Sequence, residues 1–253
     1  MRILVVNPNT TKTMTESIRR SAQHYASPGT EILATEASFG PESIEGYFEG
    51  YLSVIGVFDR LQTLEVPFDA LVMAGFGEPG REGAQELLDV PVFDITECAA
   101  HVACLLGRCY SVVTTLDRSV PAIEDRLRLA GLYDRCASVR ASGLAVLEVD
   151  QDEERSVARI VEEARAAIEV DRAEVICLGC GGMAGLDEKV AAALKVPVVD
   201  GVAAAVKLAE AVVGLGLRTS KVRTYASPQP KQISHWPISA SYPGATDDGS
   251  DHD

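Results

Sequence analysis

Residues 173–185 read Ala-Glu-Val-Ile-Cys-Leu-Gly-Cys-Gly-Gly-Met-Ala-Gly. Val175 to Leu178 are apolar without alternation, the pattern of a parallel strand covered on both faces. The glycines after them mark a turn before a helix predicted over Leu186 to Leu194, so Gly181 and Gly182 lie where strand becomes helix. In open parallel sheets the carboxyl ends of strands are where ligands sit, and the N–H groups of the next helix favour an anion there. Cys180 stands at that place. A thiol so placed ionises more readily than a free cysteine, whose pKa is about 8.5. A small buried hydrophobe, the state of most free cysteines, fits the same residue.

Working outward, the chain repeats one plan. Arg2 to Val6 predicts a strand, and the turn Asn7-Pro8-Asn9-Thr10 precedes a helix over Met14 to Tyr25. Asn9 thus sits at a strand's carboxyl end, as a helix cap or as a ligand contact. A strand at Glu31 to Ala34 and an amphipathic helix over Ile44 to Leu64 follow. Leu71 to Ala74 is a buried strand entering a second glycine-rich turn, Gly75-Phe76-Gly77-Glu78-Pro79-Gly80, and a helix to Leu88. Val90-Pro91-Val92-Phe93-Asp94 and a helix over Thr96 to Leu106 close the half.

In the second half, a strand from Cys109 ends at the hydroxyl pair Thr114-Thr115, and Val120 to Ala130 is helical. An extended region over Val139 to Leu147, a helix over Glu153 to Glu169 and the Cys180 strand come next. Val196-Pro197-Val198-Val199-Asp200 then echoes the earlier Val-Pro-Val stretch, before a helix over Val202 to Leu215. The recurrence, roughly 105 residues apart, predicts an α/β protein of two similar halves, each a parallel sheet with helices on both faces. From Ser227 onward Pro, Ser, Gly and Asp predominate, the composition of a tail that wraps the surface and frays after Pro237.

At 253 residues the chain can bury a full core. A net charge of −14 argues against nucleic acid or an anionic membrane surface as partner and leaves a small molecule. There is no apolar run of about 18 residues, and the N-terminus is too strand-like for a signal peptide, so the expected location is cytoplasmic. Cysteines 98, 104, 109, 136, 177 and 180 read as reduced thiols.

Other motifs compete. Gly179 to Ala184 satisfies G-x-G-x-x-A, with Asp200 in the place of a ribose ligand, but the dinucleotide fingerprint belongs to the first strand–helix unit of its fold. The turn at Gly75 imitates it too, and there Pro79 lacks an N–H that a pyrophosphate would use. Cys177-x-x-Cys180 suggests a redox or zinc pair, but Cys177 lies inside the strand and no second pair has metal spacing. No H-E-x-x-H and no G-x-S-x-G occurs, so neither zinc hydrolysis nor a serine triad is indicated.

Several blocks, taken together and in order, resemble the hydantoin and allantoin racemases of the aspartate/glutamate racemase superfamily. They are Arg2 to Thr10, Gly40-Pro41 with Ser43-Ile44-Glu45-Gly46, Phe76 to Gly80, Ser111 to Thr115, Leu178 to Ala184 and Val198 to Val202. The resemblance runs to about Lys231. It implies two pseudo-symmetric Rossmann-like parallel-sheet domains with the active site in the cleft between them. The expected division is residues 1–96 with 203–235, then 97–202, and a flexible acidic tail over 238–253.

The chemistry so implied is cofactor-independent: the acidic C5 proton of a cyclic ureide leaves from one face and returns to the other. Two cysteines, one from each half, act as acid and base in that family. By the same resemblance Asn9, Thr114, Thr115 and backbone N–H groups near Phe76 and Gly181 hold the ring, and no metal is required. The partners implied are a small cyclic ureide and further copies in a homo-oligomer. Cys180 matches the second-half cysteine. The first-half cysteine should directly precede Phe76-Gly77, where this chain has Gly75, and a glycine has no proton to give. A lone cysteine facing a glycine also resembles the arylmalonate decarboxylases of the superfamily, although their hydroxyl-rich turn is missing. A non-catalytic ureide-binding protein is the third reading.

Overall fold

The computed structural model describes residues 1–77 and 79–230. The expected tail over 238–253 and Glu78 therefore lie outside the described residues. The first half runs β1 (Arg2–Asn7), α1 (Lys12–Tyr25), β2 (Glu31–Glu36), α2 (Tyr47–Thr63), β3 (Ala70–Met73), α3 (Arg81–Leu87), β4 (Val92–Asp94) and α4 (Ile95–Leu106). The second runs β5 (Tyr110–Thr114), α5 (Val120–Leu129), β6 (Cys136–Ala141), α6 (Glu153–Glu169), β7 (Val175–Leu178), α7 (Asp187–Ala193), β8 (Val198–Asp200) and α8 (Gly201–Gly214). The sheets have orders β2-β1-β3-β4 and β6-β5-β7-β8, with parallel pairing throughout. The fold class expected from the sequence, two like parallel sheets flanked by helices, is the one observed.

Strand pleating sorts the core into three parts. Ile3, Val5 and Val72 face a central core shared with Tyr110, Val112 and Val175 of the other sheet. Their neighbours Leu4, Val6 and Leu71 face outward with Val57 and Leu61 of α2, while Val113, Ile176 and Leu178 pack with Ile160 and Ala164 of α6. The helix over Glu153–Glu169 begins where Asp152 accepts the Arg155 N–H at 3.0 Å, and it buries Ser156, Ile160, Ala164 and Ala167 along one stripe. The last helix of each half crosses to the other sheet: α4 lies against β7, and α8 lies against β3 and α4.

Two boundaries and the setting of Cys180 differ from the sequence expectation. The long helix starts at Tyr47 rather than Ile44, because Gly46 is extended and Glu45 is engaged by the second half. The strand expected from Val139 instead begins at Cys136, since Ser138, Val139 and Arg140 pair with Ser111, Val112 and Val113, and Gly143 turns the chain at φ +78°. After Cys180 comes a single 3₁₀ turn, Gly181–Met183, and the α-helix starts only at Asp187. Cys180 therefore caps a turn, not an α-helix.

The two halves meet main chain to main chain. A Cβ on Gly181 would stand 2.3 Å from the carbonyl oxygen of Ala74, so no side chain fits without parting the turns. We expect Gly181→Ala to destabilise the fold by about 1–3 kcal/mol in urea unfolding, the usual range for overpacking. Gly214→Ala, whose added methyl meets no atom within 4 Å, should be neutral or slightly stabilising in the same assay.

Candidate active site

Register locates the site. Met73 pairs with Asp94 on the neighbouring strand, and Leu178 pairs with Asp200. Two residues beyond each strand end come Gly75 and Cys180, so the two halves present these positions as equivalents. Gly75 is buried, Cys180 is half-buried, and the Gly181–Ala74 contact sets their turns side by side. Beside them opens a cavity of about 260 Å³. Its floor is formed by Phe76, Gly77, Thr114, Thr115, Gly179 and Cys180. Its mouth lies between residues 44–51, around the start of α2, and Ser119 with Ala122, Asp125, Arg126 and Leu129 of α5.

Each floor residue is held by its own half. The Thr114 hydroxyl donates to the Gly179 carbonyl at 2.9 Å, while the Thr114 and Thr115 carbonyls accept from Ser142 and Gly143 N–H at 2.9 and 2.8 Å. The Gly182 N–H donates to the Cys180 sulfur at 3.3 Å. In the first half the Gly77 N–H donates instead to Thr96 Oγ1 at 2.8 Å. Gly77 needs its positive φ of +86°, and a Cβ there would lie 2.7 Å from Ile123 of α5.

Of the residues singled out in the sequence, Phe76, Thr114, Thr115 and Cys180 share the cavity wall. Gly75 and Gly181, each next in the chain to a lining residue, are not themselves among those that line it. Asn9 does not line the cavity: its Oδ1 accepts from Asn7 Nδ2 at 2.8 Å and from the Thr11 N–H at 2.9 Å, and its Nδ2 donates to Met14 sulfur at 3.1 Å. Thr11, not Asn9, is the N-cap of α1. Met14 in turn backs the Cys180 turn, its methyl 3.4 Å from where a Cβ of Gly182 would stand.

One end of the cavity carries a buried ionic network that the sequence reading did not include. Arg126 of α5, only 5% exposed, reaches Glu82 of α3 at 2.7 Å, Asp94 at 2.9 Å and Glu97 of α4 at 2.8 Å. Arg81 pairs with Glu97 and Glu82 from the other side. Burial and the adjacent Asp94 raise the Glu97 carboxyl above its ordinary range. These contacts join elements far apart in sequence, so no local spacing could have announced them. Among the described residues, no cluster of three or more His, Cys, Asp or Glu is placed to hold a metal ion.

A model of the Asp/Glu/Hydantoin racemase family matches residues 3–209. The chain belongs to this family. Hydantoin racemase from Pseudomonas sp. (strain NS671) is 40% identical over 233 residues, which are 92% of this chain and 94% of that protein. The crystal structure of allantoin racemase from Pseudomonas fluorescens superposes with a TM-score of 0.91 at 63% identity, covering 92% of this chain and 99% of that one. Allantoin racemase from Klebsiella pneumoniae gives 0.90 at 40% identity over 93% and 97% of the two chains.

The thiols differ sharply in setting. Burial pushes Cys98 and Cys177 well above the ordinary thiol range, Cys104 upward, and Cys136 up to about 12. Cys180 instead lines the cavity. Iodoacetamide near neutral pH should therefore label Cys180 first, as read by peptide mass spectrometry. Earlier labelling of Cys98, Cys104 or Cys109 would count against Cys180 as the reactive thiol.

Proposed function

We propose that this protein is a cofactor-independent isomerase of the racemase type, acting at C5 of allantoin or a 5-substituted hydantoin with Cys180 as its proton-transfer group. The observation that carries the reading is the placement of Cys180 on the wall of a ring-sized cavity, next to its pseudo-symmetric counterpart position at Gly75. Family membership and the similarity to an allantoin racemase at 63% identity support it.

The Cys180 thiolate takes the C5 proton that faces it, and the C–H electron pair passes into the adjacent carbonyl as an enolate. The Thr114 hydroxyl and the Gly77 and Gly182 N–H groups are spent on Gly179, Thr96 and Cys180, so the Thr115 hydroxyl and the N–H groups of Phe76 and Gly181 are the dipoles assigned to that oxygen, and such preorganised donors stabilise charge as it develops. Inversion then needs a proton donated from the opposite face. Gly75, at the position equivalent to Cys180, has no side chain to give one, so inversion falls to a water molecule and is slow.

In deuterium oxide we expect exchange at C5 of one enantiomer, with retention and little inversion, measured by NMR and polarimetry. Cys180→Ser should abolish exchange. Gly75→Cys should raise inversion by about a hundredfold to ten-thousandfold, the contribution typical of one positioned acid or base. Rapid racemisation that Gly75→Cys does not improve would mean another group supplies the second proton, and Glu78 is the first to replace.

A further inference from the structure

The cavity mouth is bridged by polar contacts between the halves. Tyr47 of α2 donates its hydroxyl to Asp125 Oδ2 of α5 at 2.8 Å. Glu45 receives the Ser119 hydroxyl on its carbonyl at 3.1 Å and the Val146 N–H on its carboxylate at 3.2 Å. The crossing is tight, since a Cβ on Gly46 would stand 2.6 Å from the Arg118 guanidinium.

The polar side chains along this slot are engaged with one another. Asp125 also accepts from Arg128 at 3.1 Å, Arg126 and Glu82 are paired in the ionic network, and Glu45 is bonded as above. The remaining lining is aromatic and aliphatic: Tyr47 and Tyr51, stacked at 6.3 Å between ring centroids and 25° between planes, with Ile44, Ala122 and Leu129.

Geometry at the reacting carbon sets what must enter that slot. With C5 turned to Cys180 and the ring's polar edges on the floor, the substituent points toward the mouth. When the proton leaves, C5 becomes trigonal and the substituent swings into the ring plane. A flat group then continues that plane between the tyrosines and α5, whereas a group branched next to the ring has thickness that forces α2 and α5 apart.

We infer that Tyr47, held across the mouth by Asp125, is the specificity-determining residue for the C5 substituent, and that the slot selects planar groups, ureido or aryl, over branched alkyl ones. This rests on the proposed ureide chemistry of the same cavity. Differences of this size in a shaped pocket are worth about 10- to 200-fold.

The test compares allantoin, 5-phenylhydantoin and 5-isopropylhydantoin, reading kcat/KM for C5 deuterium exchange and Kd by calorimetry. Using each substrate's own variant-to-parent ratio cancels differences in intrinsic acidity. Tyr47→Ala should lower the preference for allantoin over 5-isopropylhydantoin at least tenfold, mainly through KM, as expected for lost binding rather than lost chemistry. Tyr47→Phe and Asp125→Ala, which keep the ring or the helix and remove only the clasp, should both relax the exclusion of the isopropyl compound. A preference unchanged within twofold in Tyr47→Ala, while exchange proceeds, overturns the inference and leaves the proposed chemistry standing. Tyr47-dependent binding selectivity without any exchange does the reverse.

Discussion

The backbone of Gly181 lying against the carbonyl of Ala74 is the contact on which the rest of the structure depends. Main chain can approach main chain this closely only where there is no Cβ. The approach carries the Cys180 turn of one sheet to the Phe76 turn of the other, and the cavity exists because those turns meet. Two aspartates anchor them. Asp200 accepts from the Val202 and Ala203 N–H groups at the start of α8, from Gly185 N–H at the end of the Cys180 turn, and from Ser21 of α1. Asp94 caps α4 through the Glu97 N–H and takes Arg126.

The two halves share a frame and differ in its chemistry. Position 96, two residues after Asp94, is threonine, and its hydroxyl takes the Gly77 N–H. The equivalent position after Asp200 is Val202, which has no hydroxyl, and there the Gly182 N–H is directed to the Cys180 sulfur. Where the cysteine stands, the loop amide serves the thiol; where Gly75 stands, the amide serves a neighbouring helix. The ionic partner is also one-sided, a guanidinium on Asp94 and a hydroxyl on Asp200.

Much of this was legible in the chain because it is local. Apolar runs such as Ile3 to Val6 and Val175 to Leu178 read as strands buried on two faces, and the helix expected over Glu153 to Glu169 matches α6 to the residue. The repeat of glycine turn and Val-Pro-Val-x-Asp announced the halves, and Cys180, Phe76, Thr114 and Thr115 stood at strand ends where ligands gather. Asn9 was legible as a strand-end amide, but its side chain is taken up by Asn7, Thr11 and Met14. Tyr47, Asp125 and Arg126 meet the cavity only through tertiary approach, so periodicity carried no sign of them. The start of α2 was misplaced for the same reason: contacts with Ser119 and Val146 hold Glu45 out of a helix its own sequence would permit.

The exchanged terminal helices decide where such a cleft can open. Behind the site, α4 and α8 pack directly on one another, burying Ala99, Ala100 and Ala103 on one and Ala204, Ala205 and Ala209 on the other. Small side chains let helix axes approach closely, and each helix also covers the opposite sheet, so separation at the back would expose the central core at once. At the mouth the halves are joined by Tyr47–Asp125, Glu45 and a long Arg118–Glu49 pair at 3.9 Å, contacts near solvent of a kind worth about 1 kcal/mol or less each. The mouth is therefore joined weakly at Tyr47 and Glu45, while α5 itself is tied to α3, β4 and α4 by the buried Arg126 network. The floor bearing Cys180 is fixed by main-chain contact and buried aspartates, which keeps the reacting group in register whatever substituent lies between α2 and α5.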